Sequence, residues 1–258
     1  MTYSMTLTRL RHVTQTISFF VANLGFNVAL KTGGIYPFIY CYGCPFRFAG
    51  CPIGLLQNFV ILRAFPFYLL GVMGVEGVVF GRAFCGWACP FGAVQDILAV
   101  VKKEKRRLPS FTYSKFIMLF LVIGAAWFSL DTFFCKFCPV GSLFASIPYF
   151  VLFPSTPGFF WYVHIATLVL TLFLVILFSR FWCRYLCPFG TIGIFNKLSI
   201  FTISVDSKKC TQCLQCLDVC PVGIEKVADI GSSTDCIMCG RCVDICPVGA
   251  LRMRLGRK

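Results

Sequence analysis

The chain is poor in charge, in acidic residues above all, and almost lacks histidine. Of its 258 residues 13% are charged, only 10 are Asp or Glu, and 58% are hydrophobic. Soluble domains carry about 25% charged residues, so an ordinary water-soluble globule is excluded. The only histidines are His12 and His164. A bis-histidine haem needs two in one bundle, yet His12 precedes the first apolar stretch and His164 falls near the outer end of the last. No Cys-x2-Cys-His exists for c-type attachment, and no haem is expected. Gly33-Gly34 lacks the strand–helix context of a phosphate loop, and no Ser-His-Asp set is visible. The shortage of acid leaves a net charge of +14. In a polar chain that would suggest nucleic acid; apolar sequence between the charges argues for membrane flanks instead, with no nucleic-acid partner.

A membrane helix needs about 20 apolar residues. Four stretches qualify, at 14–36, 54–80, 114–133 and 158–180. The run Leu143–Phe153 contains Pro148 and reads as interfacial or re-entrant. Basic residues set orientation. Arg9 and Arg11 precede span 1, Lys102, Lys103, Lys105, Arg106 and Arg107 separate spans 2 and 3, and Arg180, Arg184 and Lys197 follow span 4. The opposite loops hold Lys31, Arg47 and Lys136. Both termini are therefore expected in the cytoplasm of a multi-pass inner-membrane protein of a bacterium.

What the chain has in excess is cysteine, 17 in all. Near the end it reads Cys210-x2-Cys213-x2-Cys216-x3-Cys220-Pro, then Cys236-x2-Cys239-x2-Cys242-x3-Cys246-Pro. Each run has the bacterial ferredoxin spacing, in which the fourth cysteine serves the other cluster. Cys210, Cys213, Cys216 and Cys246 are thus expected to hold one 4Fe-4S centre, and Cys236, Cys239, Cys242 and Cys220 a second. Zinc also uses paired Cys-x2-Cys, but two full runs ending in Cys-Pro favour iron–sulfur.

The other nine cysteines repeat. Cys41-x2-Cys44-Pro and Cys85-x3-Cys89-Pro-Phe-Gly in the first half match Cys135-x2-Cys138-Pro and Cys183-x3-Cys187-Pro-Phe-Gly in the second. Two spans per unit make the repeats (about 14–103 and 113–200) parallel, related by an axis along the membrane normal. Cys85, Cys89, Cys183 and Cys187 then meet on the cytoplasmic side. Cys41, Cys44, Cys135 and Cys138 meet outside, where Cys51-Pro-Ile-Gly adds a fifth thiol; three from the first loop plus Cys138 is another possible set. These predict one or two further clusters. Disulfides are the alternative outside, packed thiols or a redox dithiol inside. The apolar segments after Cys89 and Cys187, Phe91–Val101 and Phe189–Leu198, read as interfacial helices, and Trp87 and Trp182 as part of an interfacial aromatic belt. The expected fold is a membrane all-α four-helix core of two parallel repeats (1–200) with a C-terminal α+β dicluster ferredoxin domain (201–258).

These motifs resemble the membrane ferredoxin-type proteins of the NapH/MauN group, the quinol dehydrogenase membrane subunits that accompany periplasmic nitrate reductase and methylamine utilisation. NosR-type proteins and oxidase-assembly ferredoxins share the core. The resemblance implies oxidation of quinol from the membrane pool and passage of electrons to a periplasmic redox partner, a ferredoxin or cytochrome, in anaerobic respiration. Cys41, Cys44 and Cys51 exceed the minimal pattern.

Quinol oxidation needs a proton acceptor at a hydrophobic cleft, and charges inside spans are functional candidates by default. Glu76 lies near the cytoplasmic end of span 2, Arg63 and His164 towards the outside. Glu76 and Arg63, about 20 Å apart along a helix, cannot pair. The rival readings are an assembly or redox-sensing protein, and electron entry from a cytosolic ferredoxin. Clusters on both faces still leave a gap that a bound quinone or a partner's centre would bridge.

Overall fold

The computed structural model describes residues 6–26, 31–99, 111–154 and 156–256, so the basic run at 102–107 lies outside the described residues. The apolar stretches form helices, with other bounds than expected. α1 (Leu7–Ala22) starts before position 14 and ends at Asn23, far short of 36. Its first backbone N–H groups, on Leu7 and Thr8, donate to the Asp244 carboxylate at 3.0 and 2.9 Å, which satisfies donors that a helix start leaves bare. Beyond it, Thr32, Gly34 and Tyr36 pair their backbone with Phe48 and Gly50 instead of continuing a helix.

The expected span 54–80 is two helices, α2 (Pro52–Ile61) and α3 (Phe67–Phe80). Proline cannot donate within a helix; Pro66 closes the break, where Arg63 turns to φ 52°. Two short helices follow, α4 (Ala83–Trp87) and α5 (Pro90–Leu98). α6 (Ser114–Ser129) stops at Leu130, in left-handed backbone. The segment around Pro148 is helical: α7 (Pro139–Gly141), a wide π turn Ser142–Ser146, then α8 (Ile147–Leu152). The widened turn accommodates a proline that would otherwise clash with the preceding turn. α9 (Phe159–Leu177) is, among the described residues, the one helix long and apolar enough to cross a membrane. After Cys187 the chain forms a 3-10 helix, Pro188–Lys197.

The halves interlock. α6 packs on α2 and on Pro188–Lys197, and α9 on α5 and α7. Val122, Ala126, Leu168 and Val175 face inward and are buried, while Phe20, Phe67, Phe120 and Phe128 stand exposed.

The C-terminal part is a small α+β unit. β1 (Phe201–Val205) pairs antiparallel with β2 (Leu251–Leu255), Ile203 opposite Met253. Between the strands lie two one-turn helices, α10 (Gln215–Asp218) and α11 (Arg241–Ile245). This unit docks on the helices through polar contacts. Lys115 Nζ donates to Asp235 at 2.5 Å, Asn196 to the carbonyls of Ser233 and Cys236 at 2.7 and 2.8 Å, and Trp87 Nε1 to the Met238 carbonyl at 2.8 Å. Of the two tryptophans expected in a headgroup belt, Trp87 is half-buried and holds the docked unit, while Trp182 is placed otherwise, buried against Phe134, ring centroids 6.2 Å apart.

Candidate functional site

Proline drives the residue before it into extended backbone and favours the first turn of a helix. Cys51, Cys89, Cys138 and Cys187 each sit in extended backbone at such a start. The free N–H groups of the first turn then face the sulfur: Gly54 to Cys51, Gly92 to Cys89, Gly141 to Cys138. In the α+β unit Cys220 and Cys246 are held the same way; the backbone N–H groups of Ile224 and Ala250 reach their sulfurs at 3.5 and 3.3 Å. Little burial opposes this at Cys246, and the backbone donors pull its thiol below the ordinary value.

The fold gathers the cysteines into four groups. Cys210, Cys213, Cys216 and Cys246 line one cavity, and Cys220, Cys236, Cys239 and Cys242 a second, which Cys216 also borders. A third group, Cys85, Cys89, Cys183 and Cys187, is buried with its members in mutual electrostatic range. It lies under the second through the Trp87–Met238 contact. The fourth group lines a cavity at the other end of α6 and consists of Cys41, Cys51, Cys135 and Cys138.

Of the five candidate outer thiols, Cys44 does not line that cavity. Its sulfur turns to Tyr40 Oη at 4.0 Å and Asn23 Oδ1 at 3.9 Å. The signal that separates the two was present: Cys51-Pro-Ile-Gly shares the Cys-Pro-x-Gly form of the loops at Cys89, Cys138 and Cys187, whereas Cys44-Pro is followed by Phe-Arg. Glycine at the third helical position keeps that N–H close to the sulfur and the wall thin.

Burial pushes the thiols of Cys41, Cys135 and Cys236 up to about 12, so binding a metal group must displace protons. Among the described residues no three His, Cys, Asp or Glu side chains close to the spacing of a single ion. Four sulfurs around zinc stand about 3.8 Å apart, given Zn–S bonds of about 2.3 Å. In an iron–sulfur cube each thiolate takes a different iron, so the sulfurs stand around a central space, such as the cavities that three of the groups line.

The charges fit such a group. Among the described residues Arg11, Arg82, Lys115, Arg180 and Arg184 are buried, against two buried carboxylates, Asp96 and Asp235. Arg82 Nη2 donates to the Cys183 carbonyl, and Arg180 Nη1 to that of Cys85 at 2.8 Å. Each arginine thus crosses from its own half to the other. Asp96 accepts from Arg180 at 3.1 and 2.5 Å and lies 3.1 Å from Arg11 and 3.6 Å from Arg241. Burial would raise the Asp96 carboxyl, but the charges of Arg180 and Arg11 outweigh it and hold it well below the carboxylate range. Arg11, near Cys239, has no hydrogen-bond partner on any guanidinium nitrogen. Arg11 is ion-paired with Asp96, but among the described residues five buried cations face two buried carboxylates, and a surplus of buried charge is costly; an anionic cluster on the adjacent thiolates would balance it.

The exchanged arginines need room. A Cβ on Gly190 would come within 2.8 Å of Arg82 Nη2, and one on Gly92 within 3.0 Å of Arg180 Nη1. Gly190→Ala is expected to lower stability by about 1–3 kcal/mol through overpacking, read as a lower thermal midpoint; an unchanged midpoint would contradict the close fit.

Of the three proton candidates only His164 adjoins a thiol group. It lines an outer cavity of about 460 Å³ together with Cys41, Cys135, Ser146 and Trp161. Its Nε2 lies 2.9 Å from the Cys135 carbonyl and Nδ1 2.6 Å from Ser146 Oγ. A carbonyl only accepts, so Nε2 carries the proton and Nδ1 accepts from the serine. Glu76 lies elsewhere, on α3, with one buried oxygen lacking a hydrogen-bond partner. Arg63, exposed at the α2–α3 break, stands over the Trp127 ring at 5.3 Å. Sequence reasoning passed over Arg82, Asp96 and Asp235 and read Arg180 only as a basic flank of span 4; no metal-ligand spacing marks them.

Comparison with known proteins covers most, though not all, of these cysteines; Cys41 and Cys51 lie outside the matched residues. A 4Fe-4S binding domain family matches residues 64–109, 111–151 and 158–195, and a 4Fe-4S dicluster domain family matches 202–247. An uncharacterised protein of Methanocaldococcus jannaschii is 28% identical over 67% of this chain and 65% of its own length. The ferredoxin-type protein NapH of Haemophilus influenzae is 30% identical over 56% of this chain and 49% of its own, and the methylamine utilisation ferredoxin-type protein MauN of Methylorubrum extorquens 31% over 55% and 48%. The chain thus spans about half the length of NapH and MauN. No solved structure matches. With 4Fe-4S binding and dicluster domains over cysteines grouped in fours, the chain is an iron–sulfur, ferredoxin-type electron-transfer protein distantly homologous to NapH and MauN.

Proposed function

We propose that this chain is a multi-pass inner-membrane electron carrier that takes electrons from quinol. Four 4Fe-4S clusters, one on each group of four cysteines, supply one-electron transfer when bound. The observation that carries this reading is the outer cavity, which opens onto Cys41 and Cys135 of the fourth group. The apolar helices, with large side chains outward, support a lipid setting, with the docked α+β unit and both termini on the cytoplasmic side.

The cavity has the size of a small-molecule pocket. Tyr42, Tyr149, Phe160 and Trp161 wall it with aromatic rings that suit a quinol ring. Trp161 Nε1 is buried without a hydrogen-bond partner and is available to a ring oxygen. Ser146, its proton given to His164, keeps its oxygen free to accept from a quinol hydroxyl. At 16 residues α6 is about 24 Å long, and it separates the third and fourth groups; a periplasmic redox partner would draw on the outer one.

Menadiol added anaerobically is expected to bleach the visible iron–sulfur absorption. Trp161→Phe and Ser146→Ala are each expected to weaken the menadiol dependence roughly tenfold, the effect of about 1.4 kcal/mol from one lost hydrogen bond. No bleaching by menadiol in a protein that dithionite does bleach would overturn quinol as the donor. Bleaching unaffected by either substitution would move the site out of this cavity.

A further inference from the structure

Two glutamines occupy the same place at the two membrane-domain cysteine groups. Gln57 follows Cys51-Pro-Ile-Gly-Leu-Leu, and Gln95 follows Cys89-Pro-Phe-Gly-Ala-Val, so each stands six residues after a Cys-Pro cysteine that starts a helix. Both are buried, at 1% and 0% exposure. Each uses its side-chain nitrogen in the same way. Gln57 Nε2 donates to the Ile53 carbonyl, one turn back, at 3.3 Å, and to Cys135 Sγ at 3.4 Å. Gln95 Nε2 donates to the Phe91 carbonyl, also one turn back, at 3.5 Å, and to Cys183 Sγ at 3.0 Å.

The amide orientation follows from these partners. A carbonyl one turn back requires a donor, so the nitrogen and not the oxygen faces it. At Gln57 the oxygen is also fixed, accepting from the Phe134 backbone N–H at 3.2 Å. Each sulfur belongs to the leading cysteine of a pair in the opposite half of the chain. The second half has no counterpart: six residues after Cys138 and Cys187 stand Phe144 and Gly193. Each of the two membrane-domain groups therefore receives, among the described residues, one side-chain amide from the first half onto the second.

We infer that Gln57 and Gln95 are equivalent positioning residues, each donating a side-chain N–H to a cysteine sulfur and thereby raising the reduction potential of the cluster that sulfur holds. A hydrogen bond to a thiolate favours the more negative, reduced state, and hydrogen bonds to cluster sulfurs are a recognised lever on potential. Low local dielectric strengthens it. This inference rests on the reading that both groups hold 4Fe-4S clusters.

The test uses the full chain, purified anaerobically, with iron content, an EPR-monitored redox titration and pulsed EPR on each sample. Gln95→Met keeps the volume and removes the donor; Gln57→Met does the same at the outer group. Each is expected to retain full iron, to move one cluster's midpoint potential to a more negative value and leave the others in place, and to lose the weak nitrogen coupling of the side-chain amide at that cluster. Full iron with unmoved potentials in both methionine variants would overturn the inference alone. Loss of iron from both without a shift in the remaining signals would reduce the glutamines to packing and overturn it too. Wild-type protein with about eight irons would overturn the cluster reading of the membrane groups and this inference with it.

Discussion

Anaerobically purified protein is expected to carry about sixteen irons per chain, four for each cysteine group, and Cys51→Ser and Cys44→Ser are expected to part company. Cys51 lines the outer cavity with Cys41, Cys135 and Cys138, so its loss removes one of four thiolates and the count falls to about twelve. Cys44 faces Tyr40 and Asn23, so its replacement leaves the count at about sixteen. Both substitutions are small, and neither touches the inner or C-terminal groups. Iron and acid-labile sulfide, measured per chain on the two variants and the wild type, check the result. The reverse order, iron lost with Cys44 and kept with Cys51, would refute the outer set.

Asp96→Asn is expected to destabilise the protein by about 3–5 kcal/mol, the cost of leaving buried cations without their carboxylate. Arg180, Arg11 and Arg241 converge on this one side chain, and they come from α9's end, α1 and the α+β unit. Its loss loosens the docking of that unit as well as the helices beneath it. Limited proteolysis near 200 and thermal unfolding in detergent would both register the change. The pH dependence has a definite sign. Asp96 and Asp235 have folded-state carboxyls below their ordinary value, because burial, which raises them, is outweighed by Arg180 and by Lys115 respectively. Their stabilisation is therefore complete above about pH 4, the unfolded value, and fades as pH falls further. Asp96→Asn should abolish most of that acid sensitivity, and a variant that unfolds in acid as the wild type does would contradict the assignment.

Much of this architecture was legible in the residues. The Cys-Pro steps state much of their loop geometry outright, since proline's fixed φ goes with extended backbone at the cysteine before it, as at Cys51, Cys89, Cys138, Cys187 and Cys246. The apolar stretches announce helices because nothing in them can remain in water. Helix ends were less legible. α1 begins at Leu7 because Asp244, more than two hundred residues later, accepts from its first N–H groups, and no local pattern contains that. Arg63 and Pro66 break the second stretch, and a hydropathy average passes over them. Trp87 resembles a belt residue until the Met238 carbonyl is seen beside its N–H.

By itself the amino-acid sequence determined the chemistry: an abundance of thiols, most of them at cluster spacings, a chain more apolar and poorer in charge than an average soluble domain, and two halves carrying the same loops. Those properties live in short-range spacing and composition. Only the tertiary structure decided which five-way choice of outer thiols becomes four, which arginine crosses to which half, and which glutamine amide meets which sulfur. These are contacts between residues distant in the chain, settled by packing and by the need to match each buried charge, and spacing along one strand of sequence does not contain them.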